Sequence, residues 1–344
     1  MLKKIAAFVL TAVLTVAGFT GCGKNYESVV TVDGVSITAG EYLYAQFQAY
    51  TAANQKVKDS KNILKETIDE MSAEEWIHHQ TIKNLRMYVW AEKKYDEMGL
   101  TLSQQSSDYA NQNAEMYWSL LGEQYVANGI GLETYKKFIT NNIKSNEIFT
   151  TLYGEKGEKA PSNEEYVKYI NENFARVTGF AVPKLDKDGK ILEEDVLIKI
   201  SHLCDEAVIR LNDGEDFEVV RIDIMAQANK LAGMEEKDFS DATLNTKDFY
   251  VPKQSQELSQ EFTANVYTLQ ENGEYLCDEV GNELMVYQRV PNYTTDEELN
   301  QLKAESLKGM KGEEFIKTVE DESSKLEVVE DASAVKYYSV SKIK

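Results

Sequence analysis

VVTVDGVSITAGE, residues 29–41, is the stretch that decides how this chain folds. Two short runs rich in β-branched residues flank Asp33-Gly34, a dipeptide that favours the tight turn of a β-hairpin. Thr38 and Glu41 then have the spacing of a capping box, in which the hydroxyl and the carboxylate satisfy free backbone amides at a helix start. The stretch therefore predicts two strands that lead directly into a helix.

Further helices are predicted from this start to about residue 173. The capping spacing recurs at three places: Ser72 with Glu75, Thr101 with Gln104, and Ser162 with Glu165. Apolar residues recur at helical spacing after these positions and again over residues 131–152. The first half of the chain is therefore predicted to be mostly helical.

Strands are mixed with helices from Arg176 onward. Residues 177–182 and 284–290 are apolar runs that predict strands, and residues 193–211 carry an apolar stripe that predicts an amphipathic helix. Residues 328–343 predict one or two further strands at the end of the chain. Together with the helical first half, these elements predict an α+β fold.

The order of the elements resembles the SurA/PrsA group of extracytoplasmic foldases. Members begin with a strand, a turn at Asn-Gly or Asp-Gly, and a helix-rich chaperone domain, and many carry a parvulin-type peptidyl-prolyl isomerase module. Here residues 162–174 are similar to the helix that enters such a module, and residues 207–217 resemble its first helix. Residues 266–274 and 281–286 resemble its closing strand, turn and strand.

The resemblance implies a domain organisation that covers nearly the whole chain. It implies a discontinuous, helix-rich chaperone-like domain and a small parvulin-like α/β module inserted within it. We expect these segments: a signal peptide at 1–21, a lipid-anchored tether at 22–28, the chaperone-like domain at 29–165 with 294–344, and the parvulin-like module at 166–293.

The resemblance also implies where a proline pocket would lie, and this chain departs from the pattern there. Gly179 occupies the position of the pocket histidine on the first module strand, and Glu283 occupies that of the second histidine. Leu258 and Phe262 stand where a methionine and a phenylalanine usually line the pocket. Phe180 is the remaining candidate pocket residue. The pocket is therefore predicted to be degenerate, with no catalytic residue.

The histidine content supports this expectation. Rotation about a peptide bond faces a barrier of about 18–20 kcal/mol, and a catalyst must favour the twisted amide over the planar one. The sequence contains three histidines, of which His78 and His79 lie outside the predicted module. His202 lies off the apolar stripe of its helix and is expected to be a solvated surface residue.

The N-terminus predicts export and lipid anchoring. Lys3 and Lys4 precede an apolar run over residues 5–19, which is shorter than the roughly 20 residues of a membrane-spanning helix. The small residues before Cys22 resemble the lipobox of bacterial lipoproteins, in which the cysteine is acylated, for example with palmitate. We expect a lipid-anchored protein on the extracytoplasmic face of a Gram-positive cell membrane. An ordinary signal peptide with an incidental cysteine is the alternative.

Composition restricts the partners. The formal net charge is −21, which disfavours nucleic acid and anionic lipid headgroups as ligands. A well-solvated exported surface is the first interpretation of this acidity, and attraction of basic unfolded polypeptides is the second. The acidic runs lack the spacing of a calcium-binding loop, and adjacent His78 and His79 point in different directions on a helix. The sequence predicts no cofactor and no metal site. Whether the protein forms a homodimer stays open.

Two cysteines are left if Cys22 carries the lipid. Export would permit a disulfide between Cys204 and Cys277, and two free buried thiols are equally compatible with the sequence. No CxxC motif is present, so the sequence does not indicate a thioredoxin-like redox site.

The predicted function is binding of exported, unfolded polypeptides by a chaperone or foldase without isomerase chemistry. Aromatic residues on the first helix, Tyr42, Tyr44, Phe47 and Tyr50, fit either a core or a groove for unfolded chains. One alternative function is an active parvulin-type isomerase whose pocket uses other aromatic residues, such as Phe217. A second alternative is a solute-binding lipoprotein, although the helix-rich first half argues against its two α/β lobes.

Overall fold

The structure is a computed structural model that describes residues 26–57, 61–234, 238–241 and 245–344. The predicted signal peptide and Cys22 lie outside these residues. The chain forms two compact units. The terminal unit contains the described residues up to Ile148 together with Thr318–Lys344, and the central unit contains Phe149–Lys317.

Short strands and long helices make up the first part of the chain. They are β1 (Val30–Val32), β2 (Val35–Ile37), α1 (Ala39–Lys56), β3 (Thr67–Ile68), β4 (Met71–Ser72), α2 (Ala73–Glu97), α3 (Gln104–Ala127) and α4 (Leu132–Tyr153).

The remaining elements mix helices and strands, as predicted. They are α5 (Asn163–Asn173), β5 (Phe174–Pro183), α6 (Glu194–Asn212), α7 (Phe217–Leu231), β6 (Thr246–Pro252), α8 (Gln260–Thr268), β7 (Tyr275–Val280), β8 (Glu283–Val290), α9 (Asp296–Ser323), β9 (Val328–Glu330) and α10 (Ala332–Tyr337). The predicted α+β fold class is confirmed.

The predicted hairpin is the centre of a small sheet in the terminal unit. Strands β1 and β2 are antiparallel, and the turn between them places Asp33 at φ 47° and Gly34 at φ 81°. Positive φ at both positions is typical of the type I′ turn, which matches the twist of the flanking strands. Strand β9 pairs with the other side of β1, with Val30 opposite Glu330. The terminal unit therefore joins two segments that are distant in the sequence.

The predicted capping box starts helix α1. The Glu41 carboxylate accepts hydrogen bonds from the Thr38 backbone N–H at 2.9 Å and from the Lys137 Nζ of α4 at 2.7 Å. The boxes at Ser72 and Ser162 are present as predicted. At α3 the predicted cap, Thr101, was wrong. Ser103 caps the helix instead, because its hydroxyl accepts a hydrogen bond from the backbone N–H of Ser106.

The central unit is built on a four-stranded antiparallel sheet in the order β6–β5–β8–β7. Helices α6 and α7 pack on one face of this sheet, where the predicted stripe of α6 supplies Ile200, Cys204, Ala207 and Leu211 to the core. Helix α8 packs on the opposite face. Strands β5, β7 and β8 therefore contribute alternate residues to two separate apolar cores.

Two sequence predictions of secondary structure were wrong. Residues 266–268 belong to helix α8, whose first turn is capped by Ser259, instead of forming a strand. The end of the chain forms the three-residue strand β9 and then helix α10, which begins after the Asp331 cap, instead of one or two longer strands. Both are short apolar runs, for which periodicity does not separate helix from strand.

The predicted parvulin-like module, residues 166–293, lies wholly within the central unit. Its boundaries stay a prediction. Across the described ranges, no helix combines the length with the low charge that crossing a membrane requires.

Candidate functional site

Gly179 lies on β5, on the face of the central sheet that packs against α8. It is paired with Lys247 of β6 and with Tyr287 of β8. A Cβ atom at this position would overlap the carbonyl oxygen of Val286 and lie 2.8 Å from the Tyr287 Cα. The two strands therefore leave no space for a side chain where the resemblance implies a histidine.

Phe262 and Leu258 share this face with Gly179. Phe262, in α8, is 1% exposed, and its ring lies 5.1 Å from that of Tyr287 and 6.4 Å from that of Phe249. Leu258 precedes α8 and packs half-buried against the same core. Because neighbouring aromatic rings occupy the space around Phe262, this ring is part of a filled core and does not line an open pocket.

Phe180 points to the opposite face of the sheet. It is fully buried against the α6–α7 layer, and its ring lies 5.9 Å from that of Phe217. Adjacent residues of a strand point to opposite faces, so Gly179 and Phe180 cannot line the same pocket. The structure brings together Gly179, Leu258 and Phe262 and excludes Phe180 from the group.

Glu283 begins strand β8 and forms an ion pair. Its carboxylate lies 2.8 Å from the Nζ of Lys247, and both side chains are about one-third exposed. The residue at the second histidine position therefore links β8 to β6. An exposed pair of this kind contributes little to stability, typically about 0–1 kcal/mol.

A buried polar group on the α8 face was missed by the sequence analysis. The Tyr287 hydroxyl donates to the Asp278 carboxylate at 2.6 Å, and the Asn265 side-chain amide donates to the same carboxylate at 3.0 Å. Burial and, second, this hydrogen bond raise the pKa of Tyr287 well above its usual range. The period-two pattern of β7, which puts Leu276 and Asp278 on one face, was the signal that could have revealed it.

The histidines do not form a metal centre. The His78 and His79 rings lie 6.4 Å apart, and the His78 Nε2 is 3.2 Å from the Glu330 carboxylate. His202 is exposed, in the predicted position on α6. Where the structure describes the chain, no group of three metal-ligating side chains is close enough to hold an ion.

Helix α3 of the terminal unit exposes an apolar stripe. Tyr109, Met116 and Leu120 are 60%, 51% and 74% exposed, and their spacing places them on one face of the helix. We call these three residues the α3 stripe. Tyr117 and Leu121, which flank the stripe, are also exposed. Contiguous exposed apolar surface is uncommon on soluble proteins and usually marks an interaction site.

A cleft between α1 and α3 adjoins the α3 stripe. It has a volume of about 560 Å³ and is lined by aromatic, apolar and amide side chains, among them Phe47, Tyr50, Leu121 and Tyr125. We call it the α1–α3 groove. Leu121 connects the groove to the stripe, so the two form a continuous surface.

The aromatic residues of α1 divide between core and groove. Tyr42 and Tyr44 are 1% and 3% exposed and belong to the core of the terminal unit. Phe47 and Tyr50 are half-buried and line the α1–α3 groove. The core interpretation therefore holds for Tyr42 and Tyr44, and binding of unfolded chains by Phe47 and Tyr50 stays a prediction.

Comparison with known proteins gives structural neighbours alone. No protein-family model and no curated protein sequence matches the chain. The PrsA foldase of Streptococcus pneumoniae matches 80% of this chain and 98% of its own, with 14% identity and a TM-score of 0.40. The chain is similar in structure to PrsA foldases.

Two further PrsA structures match. The PrsA of Lactococcus lactis covers 93% of this chain and 100% of its own, with 11% identity and a TM-score of 0.40. The PrsA of Bacillus subtilis covers 76% and 91%, with 15% identity and a TM-score of 0.33. The resemblance predicted from the sequence is confirmed as a similarity to these structures. The low identities and TM-scores carry no conclusion about activity.

Proposed function

We propose that this protein is a chaperone that binds unfolded, exported polypeptides on the α3 stripe and in the α1–α3 groove. The observation that carries the proposal is the exposure of Tyr109, Met116 and Leu120 on one helix face beside an aromatic cleft. Such a surface binds apolar segments with little demand on their sequence, because apolar burial is not directional.

The size of the surface fits weak, reversible binding. Covering a large apolar side chain contributes about 1.5–3 kcal/mol, so the α3 stripe supplies roughly 5–9 kcal/mol before the cost of ordering the client. The costs of association and of ordering the client remove several kcal/mol of this gain, so we expect dissociation constants no tighter than about 1 μM. This range allows a client to be held and then released to fold.

The proposal includes no isomerase chemistry. Gly179 supplies no imidazole, and Phe262 is enclosed by Tyr287 and Phe249 where a proline ring would have to enter. We therefore assign residues 166–293 as a parvulin-like module without catalytic residues, and residues 29–165 with 294–344 as the chaperone-like domain. An active isomerase is the competing function.

We further propose that the chain is tethered to the outer face of the cell membrane by acylation of Cys22. Residues 22–28 would then connect the lipid to strand β1 and keep the binding surface near polypeptides that leave the export machinery. One acyl chain gives only marginal membrane binding, so stable anchoring requires a multiply acylated cysteine.

An aggregation assay tests the proposed surface. Residues 23–344, which include every described residue, are mixed with a reduced, unfolded client, and light scattering is followed. The variant Met116→Glu with Leu120→Glu should lose most of the suppression of aggregation, because charge on the α3 stripe opposes apolar contact. The control variant is Ile198→Glu with Ile209→Glu on α6, where the native side chains are 51% and 61% exposed.

The outcomes separate the competing functions. Suppression by the wild type and by the α6 control, but not by the α3 variant, supports the proposal. Equal suppression by all three proteins would contradict the assignment of the surface. A parallel assay follows cis–trans isomerisation of proline tetrapeptides, and clear catalysis there would favour the isomerase.

A further inference from the structure

Cys204 and Cys277 lie together in the central unit. Cys204 is in α6 and Cys277 is in β7, and both pack in the apolar core between the helices and the sheet. The Asn212 side chain ties the end of α6 to the start of β7. It accepts from the Tyr275 backbone N–H at 2.7 Å and donates to the Tyr275 carbonyl at 3.2 Å.

The two thiols are free and lie in the same core. Neither cysteine is in a disulfide, and Cys277 packs against the cluster of buried residues that contains Cys204. Hydrogen bonding by Cys277 and, second, burial raise the pKa of Cys204 far above its usual range. Cys204 is fully buried, whereas Cys277 is half-buried and therefore partly accessible from solvent.

We propose that Cys204 and Cys277 are a disulfide-forming pair that links α6 to β7 when a small-molecule disulfide oxidant is present. The sequence leaves this pairing open, and the packing of both side chains in the single core between α6 and β7 is what favours it. The inference is independent of the proposed function, because it concerns the core of the central unit and not the α3 stripe.

The different exposure of the two residues sets the order of the reaction. The Cys277 thiolate attacks one sulfur of the oxidant, a mixed disulfide forms, and the first thiolate of the oxidant leaves. Cys204 then loses its proton and attacks the Cys277 sulfur, which displaces the second thiolate. The protein loses two protons and two electrons, and the oxidant is reduced to two thiols.

The link should stabilise the central unit. It closes a long loop that contains α7, β6 and α8, and it removes open conformations from the unfolded chain. For a unit of this size the expected rise in Tm is roughly 5–15 °C. The high pKa of Cys204 makes the second step slow at neutral pH, because little of that thiol is ionised.

The experiment uses the full chain with Cys22→Ser, so that Cys204 and Cys277 are the remaining cysteines. The protein is incubated with oxidised glutathione, and intact mass, free thiols and Tm are measured. Two variants in the same background assign the steps: Cys204→Ser and Cys277→Ser. Each is also treated in denaturant to show that its single thiol is competent to react.

The expected product is a protein that lacks two hydrogen atoms, has no free thiol and has a raised Tm. Cys204→Ser should keep one glutathione, and folded Cys277→Ser should not react because Cys204 is buried. The proposal would be overturned if the Cys22→Ser protein stayed reduced, or if it kept a glutathione on Cys277 beside a free Cys204. Formation of the disulfide with a lowered Tm would overturn the proposed stabilisation.

Discussion

Gly179 is held in a position on β5 that has no space for a side chain. The carbonyl oxygen of Val286 and the Cα of Tyr287, both in β8, occupy the volume that a Cβ would need. Restoring a histidine at this position would therefore force the two strands apart. The packing of β5 against β8 therefore excludes an imidazole at this position, in addition to the sequence lacking one.

A substitution at Gly179 should accordingly destabilise the central unit. We expect Gly179→Ala to lower the free energy of unfolding by about 1–3 kcal/mol through overpacking, and Gly179→His to lower it further without creating isomerase activity. Urea unfolding measures the first effect, and a proline-peptide assay measures the second.

Gly312→Ala is the matched control for Gly179→Ala. A Cβ at Gly312, in α9, would meet the Lys308 side chain at an ordinary 3.7 Å. This change should leave stability unaltered or raise it by up to about 1 kcal/mol, because alanine is the better helix former. Equal effects of the two alanine substitutions would contradict the packing argument.

At the residue scale, sequence located the candidate positions but not all of their neighbours. The family resemblance placed Gly179, Leu258 and Phe262, and strand alternation, had it been applied, would have separated Phe180 from them. The contact between Tyr287 and Asp278 was missed because the strand before the Gly281–Asn282 turn was expected at residues 266–269 instead of at β7.

The start of helix α9 is stabilised by one carboxylate. Glu298 accepts from the backbone N–H and the hydroxyl of Thr294, at 2.7 Å and 2.9 Å, and from the Arg176 guanidinium of β5 at 3.0 Å. These bonds, with those to Thr294 first, lower the pKa of Glu298 from 4.5 to about 2. The carboxylate therefore joins a helix start to the central sheet.

This contribution should disappear in acid. A carboxylate whose pKa is lower in the folded state stabilises the protein fully above its unfolded pKa and loses that effect as pH falls. We expect wild-type stability to decline between pH 4.5 and about 2, with a smaller decline in Glu298→Gln. Urea unfolding at a series of pH values measures both.

Glu297→Gln, at the exposed neighbouring position, controls for the loss of one negative charge. Its stability should follow the wild-type pH dependence. If Glu298→Gln did so as well, the role given to the Glu298 carboxylate would be wrong.

At the element scale, capping signals were the most informative part of the sequence. The boxes at Thr38, Ser72 and Ser162 all start helices, because the bonds involved lie within a single turn. Helix α8 and helix α10 were not foreseen. Their short apolar runs become helical through packing against distant strands and helices, which local periodicity does not encode.

At the scale of the whole molecule, pairing between distant segments was accessible only through the family resemblance. Strand β9 pairs with β1 across most of the chain length, and no local pattern predicts such a partner. The resemblance implied that residues 294–344 return to the first domain; Thr318–Lys344 lies in the terminal unit, and the rest of that segment lies in the central unit.

The net charge of −21 should select among clients. An apolar peptide with basic flanks should bind more tightly than the same peptide with acidic flanks, because long-range attraction assists its encounter with the protein. Raising the salt concentration from about 0.05 to 0.5 M should weaken binding of the basic peptide severalfold, so that the affinities of the two peptides become similar. Fluorescence anisotropy of labelled peptides measures these constants, and equal low-salt affinities would contradict the prediction.

Site-specific photo-crosslinking shows whether unfolded polypeptide contacts the α3 stripe. A photoreactive side chain replaces Leu120 in one protein and the exposed Ile209 of α6 in another, and each is irradiated with the same unfolded client. We expect strong crosslinking from position 120 that a competing apolar peptide removes, and little from position 209. Equal yields at the two positions, or no crosslink from position 120, would contradict the account.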